Sequence, residues 1–288
     1  MADLAGTRSD LSVRAVGYDG SELRWYDTLQ APPRTEAVDN LISIDGWLAL
    51  HGYVEPNSRR DQRLARQKAV RARAALIDEL GRLCFASAET WRVRAMLQLS
   101  LPTPSRIEDT ASRLGVAKAR LVDFLDEWDS IIAKSGQSRR KMMAWVHQSF
   151  FEEWIWLRLR AKSLYPDEVA LGLQPAHVQR LDGSKDMDCD IDVMHVNQLH
   201  VIEAKAANPD EKWRDWIERL YRIKSALIGN YGQATLISAQ PLNERGDSRR
   251  QAGLLRVGLV SGMTETIAGL ERIALGLPLA SSDPASQA

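Results

Sequence analysis

Two kinds of hydrophobic pattern divide the chain. From residue 38 to 133 apolar residues recur at helical spacing, as in Leu41, Ile44 and Leu48, which predicts a middle region built of helices. Further along, short apolar runs typical of strands occur at 189–195, 199–206, 234–239 and 255–260. A helical pattern around 210–228 separates two of these runs. The pattern therefore predicts an α/β protein, with a helical middle followed by a mixed-sheet α/β domain.

The two ends of the chain have patterns of their own. Residues 11–27 hold two β-prone runs around Asp19 and Gly20, a dipeptide that favours a hairpin turn, and two prolines close this unit. Residues 278–288 are rich in Ser, Pro and Ala without periodicity, so we predict a disordered tail. The polar, basic stretch 135–141 marks a boundary. We expect four segments, an N-terminal hairpin and linker, a helical middle domain, an α/β domain and a tail, over 1–37, 38–138, 139–277 and 278–288.

Two of the predicted helical stretches have distinctive patterns. Residues 106–132 have a helix, a turn at Gly115 and a second helix, which gives the middle region a winged-helix-like layout. The second helix is more acidic than basic, which favours packing over the reading of DNA bases. Residues 142–162 are predicted to form one long helix, and its many Trp and Phe residues indicate that it belongs to the core.

Composition limits the classes of function. Lys and Arg together number 38 and equal the number of Asp and Glu, so net charge does not indicate a partner. The two cysteines, Cys84 and Cys189, lie far apart without a second Cys or a His at ligand spacing, which excludes a disulfide scaffold and a Cys-rich zinc site. No segment resembles an export signal or a membrane helix, so we expect a cytoplasmic protein without a membrane partner.

Positive charge is nevertheless concentrated in one predicted helix. Residues 59–73 carry seven basic side chains and a single acid, Asp61. This face is either simply solvated or follows the phosphates of a nucleic acid, since clustered basic residues release counterions from the nucleic-acid backbone. On the second interpretation, the phosphate contacts are Arg59, Arg63, Arg66 and Arg71.

A hairpin over residues 189–206 carries the candidate chemistry. If Asn197 and Gln198 form its turn, Asp192 lies opposite Glu203, with Lys205 on the same face of the strands. Two carboxylates this close repel each other in apolar surroundings unless a cation neutralises them. Oxygen ligands of this kind suit Mg²⁺ or Mn²⁺, the ions used in phosphodiester hydrolysis. The alternative is a surface salt-bridge ladder of little energetic value.

Asp192 followed by Glu203, Ala204 and Lys205 resembles the strand pair of the restriction-endonuclease-like, or PD-(D/E)xK, nucleases. The segments 150–155, 190–193, 197–199 and 228–233 occur in the order found in one group, the CRISPR ancillary nucleases that join a cyclic-oligoadenylate sensor domain to this nuclease fold. The resemblance covers residues 140–270.

The resemblance implies specific roles. Asp192 and Glu203 would be metal ligands, Lys205 the catalytic lysine and Glu152 the acid supplied by a helix. Glu153 is an alternative to Glu152, because adjacent helical positions point about 100° apart and only one of them faces the hairpin. A sensor domain of Rossmann-like strands and helices does not fit into residues 1–37, so it is expected to be absent or truncated, and residues 41–52 resemble the connection that follows it.

The leading hypothesis is therefore a metal-dependent endonuclease of DNA or RNA in CRISPR-linked antiviral defence. The alternatives are a nuclease of restriction, repair or transposition that uses the helical middle to bind DNA, and a non-catalytic scaffold stabilised by the acidic hairpin. No organic cofactor is expected. The resemblance also implies a homodimer and a separate sensor protein as partners.

Overall fold

The computed structural model describes residues 14–279, with gaps at 19–21, 28–33, 38–41, 86, 97–105, 179–186, 196–197, 207–211, 229–231, 240–246, 276 and 278. The predicted disordered tail, apart from Leu279, lies outside the described residues.

The N-terminal segment forms a small antiparallel sheet. Its strands are β1 (Arg14–Tyr18), β2 (Glu22–Asp27) and β3 (Arg34–Ala37), in the order β1-β2-β3. Tyr18 pairs with Leu23 across the first two strands, which confirms the predicted hairpin. The third strand, directly after the two prolines, was not predicted.

The middle region is helical, as predicted. Its helices are α1 (Ile44–Leu50), α2 (Asn57–Ala72), α3 (Ala74–Phe85), α4 (Ala88–Met96), α5 (Ile107–Leu114) and α6 (Lys118–Ser135). One short strand, β4 (Tyr53–Val54), follows α1 and pairs antiparallel with β6 (Ala176–His177) from the α/β region. The middle region is therefore joined to the α/β region by backbone pairing as well as by side chains.

The predicted helix-turn-helix is formed by α5 and α6. Gly115 ends α5 with φ of 64°, a left-handed conformation that favours glycine at a helix C-terminus. On α6, Leu121, Phe124, Trp128 and Ile131 recur at helical spacing and are buried. Helix α6 packs against α3, so its apolar face is used within the protein, as predicted.

The long aromatic helix predicted over 142–162 is in fact two helices, α7 (Arg139–Gln148) and α8 (Phe150–Lys162). The chain bends at Ser149, whose φ of −130° is not helical. The bend brings the Trp145 ring edge-on to the Phe150 ring, with centroids 5.5 Å apart, and lets Trp145 Nε1 donate to Glu153 Oε2 at 2.9 Å. Aromatic packing and a partly buried hydrogen bond therefore account for the break.

The α/β region is built on a mixed five-stranded sheet of order β10-β9-β8-β7-β5. Its strands are β5 (Val169–Leu173), β7 (Cys189–His195), β8 (Gln198–Lys205), β9 (Gln233–Ser238) and β10 (Gly258–Ser261). Strands β5, β7 and β8 pair antiparallel, whereas β8, β9 and β10 pair parallel. The accompanying helices are α9 (Trp213–Ile223), extended by a π-helical turn over Lys224–Ile228, α10 (Asp247–Leu254) and α11 (Met263–Ala274). The mixed sheet confirms the predicted fold class. Strand β5 was not predicted.

Two hydrophobic clusters cover the sheet. One joins α3, α6, α7, α8 and α11 to the sheet residues Ile191, Val193 and Ile202. The other joins α1 and α9 to Val201 and Leu236. Helices from before residue 139 thus contribute to both clusters, and the division into domains at 138/139 stays a prediction.

Arg94 in α4 adds a polar connection between the helices and the sheet. Its side chain is fully buried and donates from Nη2 to Val146 O at 2.8 Å and from Nη1 to Ala206 O at 3.4 Å. Ala206 directly follows Lys205 at the end of β8. The helical region therefore holds the backbone beside the candidate catalytic lysine.

None of the described helices has an apolar stretch long enough to cross a bilayer.

Candidate active site

The β7/β8 hairpin has a different register from the one predicted. His195 pairs with Gln198 and Asp192 pairs with Val201, so Asp192 does not lie opposite Glu203. The last pair places the connection at residues 196–197, one position earlier than predicted, and these two residues lie outside the described ones. Moving a turn by one residue shifts every cross-strand partner by two, which keeps each side chain on its face but changes its neighbour.

Asp190 is the acid that meets Glu203 and Lys205. It lies one residue before Ile191, which pairs with Ile202, and its Oδ2 accepts a hydrogen bond from Ala204 N at 2.8 Å. Lys205 Nζ lies 3.2 Å from Asp190 Oδ2 and 2.6 Å from Glu203 Oε1. Two carboxylates therefore converge on one ammonium group at the end of the hairpin. The sequence segment 190–193 includes Asp190, but only the register identifies it as a site residue.

Asp192 lies deeper in the protein than the other candidate ligands. Its side chain is fully buried, and neither carboxylate oxygen has a hydrogen-bond partner of normal geometry among the described residues. Burial raises the pKa of Asp192 well above its usual range, the Arg63 guanidinium opposes this shift, and the Asp190 and Glu55 carboxylates add to it. A nearby thiol, Cys189, also favours the charged form. Asp192 is thus a buried carboxyl group whose negative charge is only partly compensated by its neighbours. Such groups are common in functional sites.

Of the two acids at the start of α8, Glu152 faces the hairpin. The Asp190 and Lys205 charges both act on the Glu152 carboxyl, and Glu152 Oε2 accepts from Arg66 Nη2 at 2.9 Å. Glu153 is buried elsewhere, where Arg73 binds both of its oxygens through Nη2 at 2.7 and 2.8 Å. The structure therefore brings Glu152, and not Glu153, towards Asp190 and Lys205.

Arg219 of α9 belongs to the site and was not identified in the sequence. Its Nη1 donates to Glu203 Oε1 at 3.2 Å, and its Nη2 donates to Asp188 O at 2.5 Å. On the same helix, the Trp216 ring lies under Lys205 Nζ, 5.8 Å from the ring centroid. An arginine on an amphipathic helix gives no signal of such a contact, because only the packing of α9 on the sheet brings it to Glu203.

Some basic side chains of helix α2 are exposed, whereas others are paired with acids. Arg63 is not on the exposed face, because its Nε and Nη2 bind the buried Glu55 carboxylate at 2.7 to 3.0 Å. Arg63 is therefore less open to a nucleic acid than the exposed residues of the helix, and its phosphate contact stays a prediction. Arg71 is exposed, Arg59 is half-buried with Nη1 donating to Gln174 O at 3.4 Å, and Arg66 reaches the site through Glu152. Nucleic-acid binding by Arg59, Arg66 and Arg71 stays a prediction.

The charges of the cluster shift its ionisation. Burial and the Asp190 carboxylate raise the pKa of Glu203, while Lys205 and Arg219 oppose the shift. Burial lowers the pKa of Lys205, but the Asp190 and Glu203 carboxylates raise it more, so its net pKa lies above the ordinary 10.5. Lys205 is therefore a protonated, positively charged group at neutral pH.

The residues fit a hard divalent cation that is held by few protein ligands. The buried carboxylate oxygens of Asp192 without partners, together with Asp190 and Glu203, are the oxygen donors that Mg²⁺ and Mn²⁺ prefer. In the described part of the chain, no three His, Cys, Asp or Glu side chains are grouped closely enough to hold a metal ion. Such a site would therefore use one or two carboxylates and complete its coordination with water or substrate oxygens, as Mg²⁺ sites commonly do.

The ionisation of Glu152 leads to a prediction for stability. Burial and the Asp190 carboxylate raise the pKa of Glu152 from 4.5 to about 7, against the opposing effect of Arg66. A carboxyl group with a raised folded-state pKa contributes stability that is present below its unfolded pKa and is lost as the pH rises through its folded pKa. Between pH 5 and 8 in EDTA, the wild-type protein should therefore lose thermal stability relative to Glu152→Gln. Melting curves of both proteins across this range test the prediction, and a constant difference in melting temperature would contradict it.

The comparisons with known proteins bear on the fold. No protein-family model and no curated protein sequence matches the chain. Among solved structures, Can2 from Sulfobacillus thermosulfidooxidans, in complex with cyclic tetra-adenylate, matches with a TM-score of 0.53 and 13% identity, over 91% of this chain and 69% of Can2. Protein VC1899 from Vibrio cholerae matches with a TM-score of 0.55 and 15% identity, over 91% of this chain and 68% of VC1899. The chain therefore shares its fold with these two proteins.

A third structure is more distant. A type III CRISPR defence DNA nuclease activated by cyclic oligoadenylate matches with a TM-score of 0.38 and 15% identity, over 86% of this chain and 30% of that protein. This value is too low to support a conclusion about the fold.

Proposed function

We propose that the chain is a metal-dependent nuclease that hydrolyses phosphodiester bonds of nucleic acid at the end of the β7/β8 hairpin. The observation that carries the proposal is the position of Lys205 Nζ, 2.6 Å from Glu203 and 3.2 Å from Asp190. Glu152 approaches the same group from α8. Two acids thus contact one lysine where the strand ends, and the charge of a third acid, Glu152, interacts with them, in a fold shared with Can2.

Each residue has a proposed role in this reaction. Asp192 and Glu203 would supply two oxygen ligands for Mg²⁺ or Mn²⁺, with water or substrate oxygens completing the coordination, and such an ion would polarise a phosphate and lower the pKa of a coordinated water. Lys205, whose pKa is raised, stays protonated, so it orients the attacking water and offsets negative charge that develops on the phosphate. Glu152, with a pKa of about 7, is able to exchange a proton near neutral pH.

Within this class, we propose a role in CRISPR-linked antiviral defence. The resemblance of residues 140–270 to the CRISPR ancillary nucleases supports it, and so does the fold shared with Can2, whose structure contains cyclic tetra-adenylate. DNA or RNA would be the substrate. A homodimer and a separate sensor protein are the partners proposed on the same grounds.

The test is a cleavage assay on the full chain. Labelled single-stranded and duplex DNA and RNA are incubated with Mg²⁺, with Mn²⁺ or with EDTA, each with and without cyclic tetra-adenylate. We expect cleavage with Mg²⁺ or Mn²⁺ and none with EDTA. Cleavage of no substrate under any condition would contradict the nuclease proposal. A response to cyclic tetra-adenylate would support the link to defence.

A further inference from the structure

Two arginines hold the acids of the site from different elements. Arg219 of α9 donates to Glu203 at 3.2 Å, and Arg66 of α2 donates to Glu152 at 2.9 Å. Their side chains are 37% and 34% exposed, so both are partly open to solvent. The two acids are buried or mostly buried, with side-chain exposures of 1% and 19%. Each arginine is thus more exposed than the acid of the site that it binds.

We propose that Arg219 and Arg66 form a phosphate clamp, in which each guanidinium binds a backbone phosphate of the nucleic acid that lies in the site. This proposal rests on the proposed nuclease function and adds the groups that position its substrate. A guanidinium presents donors in a planar fork that matches the oxygens of a phosphate. Arg219 pairs with Glu203, which also binds Lys205, and Arg66 pairs with Glu152, on which the Lys205 charge acts, so a phosphate held by the two arginines would lie near the proposed catalytic centre.

The contacts of Arg219 allow it to exchange its interaction with Glu203 for one with a phosphate. Glu203 binds Lys205 as well as Arg219, so its interaction with Arg219 is shared. When Glu203 serves as a ligand to a cation, less of its negative charge is available to Arg219, which favours contact of the guanidinium with a phosphate. Arg219 keeps a second anchor meanwhile, because its Nη2 donates to Asp188 O.

Two other arginines of the same region lack this freedom. Arg63 binds Glu55 through two nitrogens, and its side chain is only 10% exposed. Arg73 binds both oxygens of the buried Glu153 and also lies over the Trp145 ring, 4.9 Å from the centroid. Arg63 and Arg73 each hold their acid by three hydrogen bonds, whereas Arg219 and Arg66 each give their acid one, so we assign Arg63 and Arg73 to folding and not to substrate binding.

The test separates phosphate binding from the mere positioning of Glu203. Binding of a fluorescent oligonucleotide to the full chain is measured by anisotropy, in Ca²⁺ and in EDTA, over a range of salt concentrations. The variants are Arg219→Gln, Arg219→Lys and Arg66→Gln. Arg214→Gln is the matched control, because Arg214 is an exposed arginine of the same helix that lies over the Trp213 ring and not against a site acid.

The clamp predicts about a tenfold loss of affinity in Ca²⁺ for Arg219→Gln and for Arg66→Gln, because each variant loses a charge-assisted contact. The slope of log affinity against log salt concentration should become less negative by about 0.7 to 0.9 for each lost phosphate contact. Arg219→Lys keeps the charge and should keep the slope, and Arg214→Gln should leave the affinity unchanged.

Two results would overturn the clamp. Unchanged affinity and slope in Arg219→Gln, with weaker Mn²⁺ binding by calorimetry, would show that Arg219 only positions Glu203. Unchanged affinity in Arg66→Gln would show that Arg66 does not bind a phosphate. If the wild-type protein binds and cleaves nucleic acid in either case, the proposed nuclease function stands without the clamp, whereas a wild-type protein that does neither would end both proposals. Melting temperatures near the wild-type value verify that the variants are folded.

Discussion

Replacing Lys205 by alanine is expected to reduce cleavage by at least about 10²-fold, the usual loss when one group that stabilises developing charge is removed. Lys205 Nζ is the ammonium group between Asp190 and Glu203, and its raised pKa keeps it charged across the neutral range. Its proposed contribution lies in the transition state, so the rate should fall more than the affinity for substrate. Arg219 still pairs with Glu203 in the variant, so we expect the protein to fold.

The measurement is single-turnover cleavage with saturating Mg²⁺ or Mn²⁺, together with substrate binding by anisotropy. Lys118→Ala is the matched control, because Lys118 is 60% exposed and pairs with an 80% exposed acid, Glu108. Its cleavage rate should equal that of the wild type. A Lys205→Ala protein that cleaves at nearly the wild-type rate would show that Lys205 is not catalytic.

Replacing Arg73 by alanine is expected to destabilise the fold by about 3 kcal/mol, since removing one partner of a buried ion pair leaves the other charge uncompensated. The remaining charge would be that of Glu153, which is 1% exposed. Arg73 binds both Glu153 oxygens, and its loss would leave Trp145 Nε1 as the one side-chain donor to that carboxylate in the described part of the chain.

The free energy of unfolding from urea titration measures this effect. Arg139→Ala is the control, because Arg139 pairs with Asp129 at a site where the two side chains are 47% and 54% exposed, and such surface pairs contribute about 0 to 1 kcal/mol. The double variant Arg73→Met with Glu153→Leu should recover part of the lost stability. Equal losses for Arg73→Ala and Arg139→Ala would show that Glu153 does not depend on Arg73.

Much of the fold follows from periodicity in the sequence. The helical middle, the hairpin near the N-terminus and the four later strands were predicted from apolar spacing. Strand β5 was not predicted, because a run of five residues is too short for periodicity to distinguish a strand from a helical segment. The break at Ser149 was also missed, because the residues on both sides of it are equally aromatic and the bend depends on how Trp145 packs.

The composition of the site was easier to predict than its geometry. The sequence indicates an acidic hairpin with Glu203 and Lys205, but the assumed turn placed Asp192 where Asp190 lies. Asn197 tolerates the left-handed conformation at either position of a two-residue turn, so the sequence alone does not select the register. The choice between Glu152 and Glu153 was open for a similar reason, since it depends on the rotation of α8 set by Arg66 and Arg73.

Ion pairs join α8 to α2 and to Arg73, which directly follows α2. The helical middle and the α/β region therefore depend on each other. Arg66 and Arg73 precede the predicted boundary at 138/139, yet they hold the two adjacent acids of α8, and Arg94 holds the backbone after Lys205. A chain that inherited only residues 139–277 would carry the acids of the site without these counterions. The helical middle and the α/β region are therefore constrained to evolve as a pair, and exchange of either one by recombination would have to preserve the electrostatic match between them.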